Sequence, residues 1–220
     1  MLVKTYAAAL HGIDAIKVTM EVLTDIGFQT IIVGLPDTAV KESNERVASA
    51  LAQCGYEYPR CKVVVNMAPA DVRKEGSAYD LPLAAGILGA SGKIPESAFA
   101  DTLIMGEVTL DGTLMPVKGA LPMSIMARKE GMKRMIVPSA NATEAAVVNN
   151  LDVYGFDTLG QVIDFLQGKT EPQPTVVNTR EEFGNACGIF DSDFADVKGQ
   201  AAVKRALKIA AAGGHNVLMI

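Results

Sequence analysis

The sequence predicts an α+β fold, and three observations predict it. Short runs rich in β-branched and apolar residues alternate with stretches whose apolar residues recur at helical spacing. An Asp111-Gly112 pair stands between two such runs, the pairing expected of a tight hairpin. From Gly168 the periodicity stops and then resumes, so a second, smaller unit is expected after a linker. The expected organisation is a domain of alternating strands and helices over residues 1–167, a linker over 168–193, and a second unit over 194–220.

Residues 2–10, 15–23 and 29–35 are apolar or β-branched runs bounded by Gly or Asp, and read as strands. After Gly34-Leu35-Pro36, Asp37 is placed to cap a helix through its side-chain oxygen. Val47, Ala50, Leu51 and Cys54 give that helix one apolar stripe, and Gly55 ends it. Residues 61–67 make the strongest strand, and a loop follows. Asp80 is read as the cap of the next helix, with Pro82 tolerated in its first turn. That helix, over 80–91, is apolar on nearly every face and should be central. Strands at 102–110 and 113–117 flank the Asp111-Gly112 turn. A helix over 119–130, a strand at 134–137, a helix over 140–149, a strand at 151–158 and a helix over 159–167 complete the first domain.

The linker holds Pro172, Pro174, Asn178, Gly184 and Asp191, with Phe183 or Phe190 as docking points. Beyond it Val203, Ala206, Leu207 and Ala210 mark an amphipathic helix that Gly213-Gly214 ends. Residues 216–220 begin a buried strand, which is expected to continue in a longer chain.

Composition excludes some functions. At 49% hydrophobic and 20% charged residues, the chain can build a core and is not of disordered type. A net charge of −5 supplies no overall positive field for nucleic acid, so DNA contact would need local patches or assembly. Aromatic residues are 5% and Trp is missing, which disfavours recognition of single strands by base stacking. Cys54, Cys61 and Cys187 form no C-x-x-C pair and fit a reducing cytosol. The N-terminus reads as a strand rather than a signal peptide, and no run is apolar enough to span a membrane, so a cytoplasmic location is expected. His11 and His215 have no Cys or carboxylate at ligand spacing, and no metal site is expected.

Four segments carry a resemblance. They are Val33-Gly34-Leu35-Pro36-Asp37 with Ala39 to Ser43; Asn66 to Asp71 with Lys74-Glu75-Gly76-Ser77 and Asp80-Leu81-Pro82; Gly106-Glu107-Val108 with Leu110-Asp111-Gly112 and Pro116 to Gly119; and Gly199-Gln200 with Lys204 to Leu207 and Ala210 to Asn216. In this order they resemble the magnesium-chelatase-like AAA+ ATPase family of the competence protein ComM type, also called YifB-like. The resemblance implies a Lon-protease-like first domain, of the fold also seen in a small-subunit ribosomal protein, and the entry to an AAA+ module after it. It further implies ATP and Mg as cofactors of the full-length protein, a hexameric ring, and DNA as a partner in ATP-driven branch migration. The phosphate-binding pattern G-x-x-x-x-G-K-S/T does not occur in these 220 residues, so no cofactor and no ATPase activity are expected of this chain alone. Gly199, Gln200, His215 and Asn216 are the residues placed nearest such a loop.

In Lon-type peptidases a Ser attacks the peptide bond with a Lys as its base. The resemblance puts Ser77 at the nucleophile position. Tyr79 stands where Lon has Gly, and the positions that carry lysines in Lon read Leu121 and Met123 here. Lys118, about one helical turn earlier, is the nearest displaced base. Basic pairs at Arg73/Lys74, Arg128/Lys129 and Lys133/Arg134 are the candidate DNA contacts, each small by itself. Three functions therefore stand: a non-catalytic platform in a DNA-remodelling motor, a serine peptidase using Ser77, and a chelatase-like motor subunit.

Overall fold

A computed structural model describes residues 1–178 and 193–219. They fall into two compact units divided between Val177 and Asn178. The α+β reading holds in the first unit, where a mixed sheet of seven strands has the order β3-β4-β2-β1-β5-β8-β9. Its strands are β1 (Leu2–His11), β2 (Asp14–Asp25), β3 (Thr30–Val33), β4 (Lys62–Ala68), β5 (Thr102–Ile104), β8 (Arg134–Pro138) and β9 (Asp152–Phe156). The pairs β1/β2 and β2/β4 are antiparallel, and the other four are parallel. The parallel pairs are reached through the helices α1 (Thr38–Gln53), α3 (Ala120–Lys129) and α4 (Ser139–Ala145) and the central α2 (Asp80–Ala90); α5 (Leu159–Leu166) follows β9.

Every residue of α2 is buried, as its uninterrupted apolar character requires. It lies close on the sheet because two of its positions have no Cβ. A Cβ at Gly86 would stand 2.7 Å from Val22, and one at Gly89 would stand 2.6 Å from Phe99. Helix α1 starts as expected, with the Asp37 side chain accepting from the Val40 amide at 2.8 Å.

Three expectations need correction. Asp80 does not cap α2: it sits in the first turn, fully buried, with its carboxylate turned to Arg46. The run 102–110 is not one strand. The Met105 amide turns to the Ile136 carbonyl and the Gly106 amide to the Ala78 carbonyl, so β5 stays in the main sheet. Only β6 (Glu107–Val108) pairs with β7 (Leu114–Met115) across the Asp111-Gly112 turn. In the second unit the helix is present as α6 (Ala201–Gly213), but residues 216–219 form no strand. A lone extended segment has no ladder to join. Cys187, Phe183, Phe190 and Ile220 lie outside the described residues.

Candidate cleft around Ser77

Three of the four quoted segments meet in space, fastened by main-chain hydrogen bonds. The Lys74 amide donates to the Leu35 carbonyl at 3.2 Å and the Asp37 amide to the Lys74 carbonyl at 3.0 Å. The Gly34 backbone (φ 102°) passes so near β4 that a Cβ would lie 2.1 Å from the Met67 carbonyl oxygen, so only Gly fits there. The Asp37 carboxylate, besides capping α1, accepts from the Gly76 amide at 2.9 Å through its second oxygen. On the far side the Gly106 amide donates to Ala78 and the Leu81 amide to Gly106, each at 3.0 Å. The short 3₁₀ turn Ser77–Tyr79 is thus held from both flanks.

Beneath it lies a buried ion pair. The Arg46 guanidinium grips Asp80 with both arms, Nε to Oδ2 at 2.8 Å and Nη2 to Oδ1 at 2.9 Å. The Val108 amide adds a third contact at 3.3 Å. Burial pushes the Asp80 carboxyl up from its ordinary value, and Arg46 opposes this. Neither Asp37 as a bridge nor Arg46 as a partner follows from the sequence, because the pairs Asp37–Gly76 and Arg46–Asp80 are far apart along the chain.

The turn borders a cleft of about 920 Å³ lined by β1, the Asp71–Tyr79 segment, Met105, Glu107, the Pro116–Lys118 loop and Met123. Ser77 and Lys118 both line it. Ser77 is half-buried and Lys118 exposed, and no hydrogen bond joins them. Lys118 is set by its neighbour: buried Asn141 both accepts from the Val117 amide and donates to the Val117 carbonyl, at 2.8 Å each. Met123, 3% exposed, brings a thioether rather than an amine into the cleft. Tyr79 is buried in the wall, and burial pushes its hydroxyl well up.

The basic residues separate. Lys74 is not a surface cation: it is fully buried, its ammonium donates to the Pro69 carbonyl, and burial holds its pKa below the ordinary value. A side chain so placed cannot reach a phosphate. Arg73 is exposed and paired with Glu75 at 3.0 Å. Half-buried Arg134 is turned onto the Ala98 and Ala100 carbonyls. Lys133 faces Asp101 at 3.7 Å, and Arg128 and Lys129 are exposed in the last turn of α3. In the second unit, Gly199 and Gln200 precede α6 while His215 and Asn216 follow it, so the 13-residue helix holds the two pairs about 20 Å apart. Among the described residues no three His, Cys, Asp or Glu side chains cluster as metal ligands would, and no helix is long and apolar enough to cross a membrane.

The family described as subunit ChlI of Mg-chelatase matches residues 20–141, and a second description of the same subunit matches 193–220. The chain belongs to the magnesium-chelatase ChlI family. It is 38% identical to competence protein ComM of Haemophilus influenzae and 40% identical to YifB of Escherichia coli, covering 98% of this chain in each case. Within the ChlI family this is therefore a ComM/YifB-like member. The chain spans 42% of the length of either relative. It is also 28% identical over 148 residues to Lon protease 2 of Bacillus subtilis, across 64% of this chain and 26% of that protein.

Proposed function

We propose that residues 1–167 of this ChlI-family chain are a non-peptidase platform of a longer AAA+ ATPase, joined by a linker over 168–193 to the first residues of its ATPase module. The full-length protein, on this reading, is a cytoplasmic hexameric ring that uses ATP and Mg to drive branch migration of DNA in competence or recombination. What carries the platform reading is the cleft: Ser77 has no hydrogen-bonded base, and a thioether stands at Met123. A serine hydroxyl without a base in reach is a poor nucleophile. The DNA reading draws on the likeness to a competence protein. Of the six basic candidates, Arg73, Arg128, Lys129 and Lys133 stay exposed, Arg73 and Lys133 beside an acidic partner, and a ring would repeat them in every subunit. ATP does not fit the residues present, since Gly199, Gln200, His215 and Asn216 stand at opposite ends of α6. Its site is assigned to the remainder of the longer protein.

The test uses the full-length protein and its Ser77→Ala variant on a four-way DNA junction and on casein. Branch migration driven by ATP at equal rates in both, without casein cleavage, is expected. The placing of Ser77 and Lys118 on one cleft favours a second reading, a peptidase. Casein cleavage that disappears in the variant would establish it.

A further inference from the structure

The same cleft has a feature that does not depend on Ser77 chemistry or on the DNA reading. Strand β5 pairs with β1 at one register position, Tyr6 opposite Leu103. Beyond it the chain leaves β1, as the Gly106 amide turns to the Ala78 carbonyl. The Ala8 amide then finds only the Met105 sulfur, at 3.2 Å. A thioether is a weak acceptor. In an antiparallel ladder, residues alternate between bonding their partner strand and pointing their N–H and C=O the other way. Ala8 points away from β2, so Leu10 does too, while Ala9 bonds Ile16 across the ladder. The Ala8 carbonyl and the Leu10 amide and carbonyl have no partner among the described residues. Ala8 to His11 line the cleft. The cleft therefore has a strand edge as one wall.

The lining also includes Ala78, Val72, Met105, Val117 and Met123, which are apolar. The lining also holds three carboxylates, Asp71, Glu75 and Glu107, and two basic residues, Arg73 and Lys118. That balance of charge repels a polyanion more than it attracts one, and suits an uncharged occupant. An open strand edge beside apolar walls is what an extended polypeptide needs: main-chain hydrogen bonds on one side and side-chain burial on the other.

We infer that this cleft captures an extended, uncharged segment of a partner polypeptide by strand addition to the outer edge of β1, and holds it without cutting it. The segment runs past Met105 along the outer edge of β1, and its main chain pairs with the amide and carbonyl of exposed Leu10, while Ala8 stays buried behind the Met105 sulfur.

The test uses the 220-residue chain and a blocked, fluorescein-labelled octapeptide alternating valine and serine. Saturable binding by anisotropy is expected, with the peptide intact afterwards. Exchange of the Leu10 amide hydrogen slows about tenfold or more at saturation, while that of Ala9, already paired within the sheet, is unchanged. The same peptide with its central amides N-methylated binds about tenfold or more weakly, since each main-chain bond lost is a several-fold effect. No saturable binding, equal binding of the methylated peptide, or binding that leaves Leu10 exchange untouched would each overturn the proposal. Displacement by an equal concentration of single-stranded DNA would overturn it in favour of a nucleic-acid cleft. Cleavage of the octapeptide would overturn the holding role and support a peptidase.

Discussion

Replacing Arg46 with Met tests what holds the Ser77 turn in place. Arg46 is 24% exposed in its side chain and Asp80 is 0% exposed. Met keeps the aliphatic packing of the Arg stem but removes both arms of the pair. The Asp80 carboxylate would then be buried with only the Val108 amide, at 3.3 Å, as a hydrogen-bond donor. Breaking a buried pair from one side costs about 3–5 kcal/mol. The unit has 177 residues, and in that size range each kcal/mol moves Tm by about 2–4 °C, so a fall of about 6–20 °C is expected. The loss depends on pH with a definite sign. Without Arg46 the folded-state pKa of Asp80 rises further above its unfolded value, so protonation restores stability at low pH. The variant should approach the parent near pH 4 and fall behind as pH rises toward 7. The assay is urea and thermal unfolding followed by circular dichroism, at both pH values. The double variant Arg46→Met with Asp80→Asn keeps an acceptor for Val108 and removes the charge, and should recover most of the loss. A single-variant loss under about 1 kcal/mol, or a double variant no better than the single, would refute the argument.

Other expected outcomes are smaller. Gly89→Ala gains about 1 kcal/mol of helix propensity. Its Cβ would, however, meet Phe99 at 2.6 and 3.0 Å and Val3 at 3.1 Å, so overpacking of about 1–3 kcal/mol wins and Tm falls. Asp37→Ala loses the α1 cap and frees the Gly76 amide, costing about 1–2 kcal/mol, and hydrogen exchange at Gly76 accelerates. For Lys74, burial lowers the folded-state pKa below 10.5. The unfolded chain thus binds more protons between that lowered value and 10.5, and this residue's contribution to stability rises with pH there. The stability difference between the parent and Lys74→Met should carry that slope in alkaline urea titrations; a flat difference would show that Lys74 is not desolvated as described.

Most of the elements were legible because their signals are local. The apolar run of α2, the Asp37 cap and the apolar, β-branched runs of β1 and β4 are each contained in a few consecutive residues. What was not legible depends on partners far along the chain. Arg73 and Lys74 look like one basic patch in sequence. In space the segment is extended there, with Lys74 bridged to Pro36, so successive side chains point opposite ways. Arg73 goes to solvent and Lys74 to the interior. Asp80 looks like a helix cap because it precedes an apolar helix, but Arg46, 34 positions earlier, takes its carboxylate. The run 102–110 looks continuous because hydropathy does not register a change of partner, and the Gly106 amide, turned to Ala78, makes that change.

The same geometry bears on how much it means that the resemblance sets Ser77 against the Lon nucleophile. Gly76 is fixed by Asp37, Ala78 by Gly106, and Asp80 by Arg46. These three contacts place the Ser77 hydroxyl in the cleft whether or not it reacts, since each is made by a neighbour of Ser77 and none by its side chain. The position of that serine follows from the scaffold and does not by itself bring peptidase chemistry. The chemistry turns on a base, and on that point the cleft offers Lys118 on an exposed loop and a thioether at Met123. An unactivated hydroxyl beside an open strand edge has the features of a site that holds an extended chain, and the Leu10 exchange measurement separates holding from cutting more sharply than any comparison of serine positions.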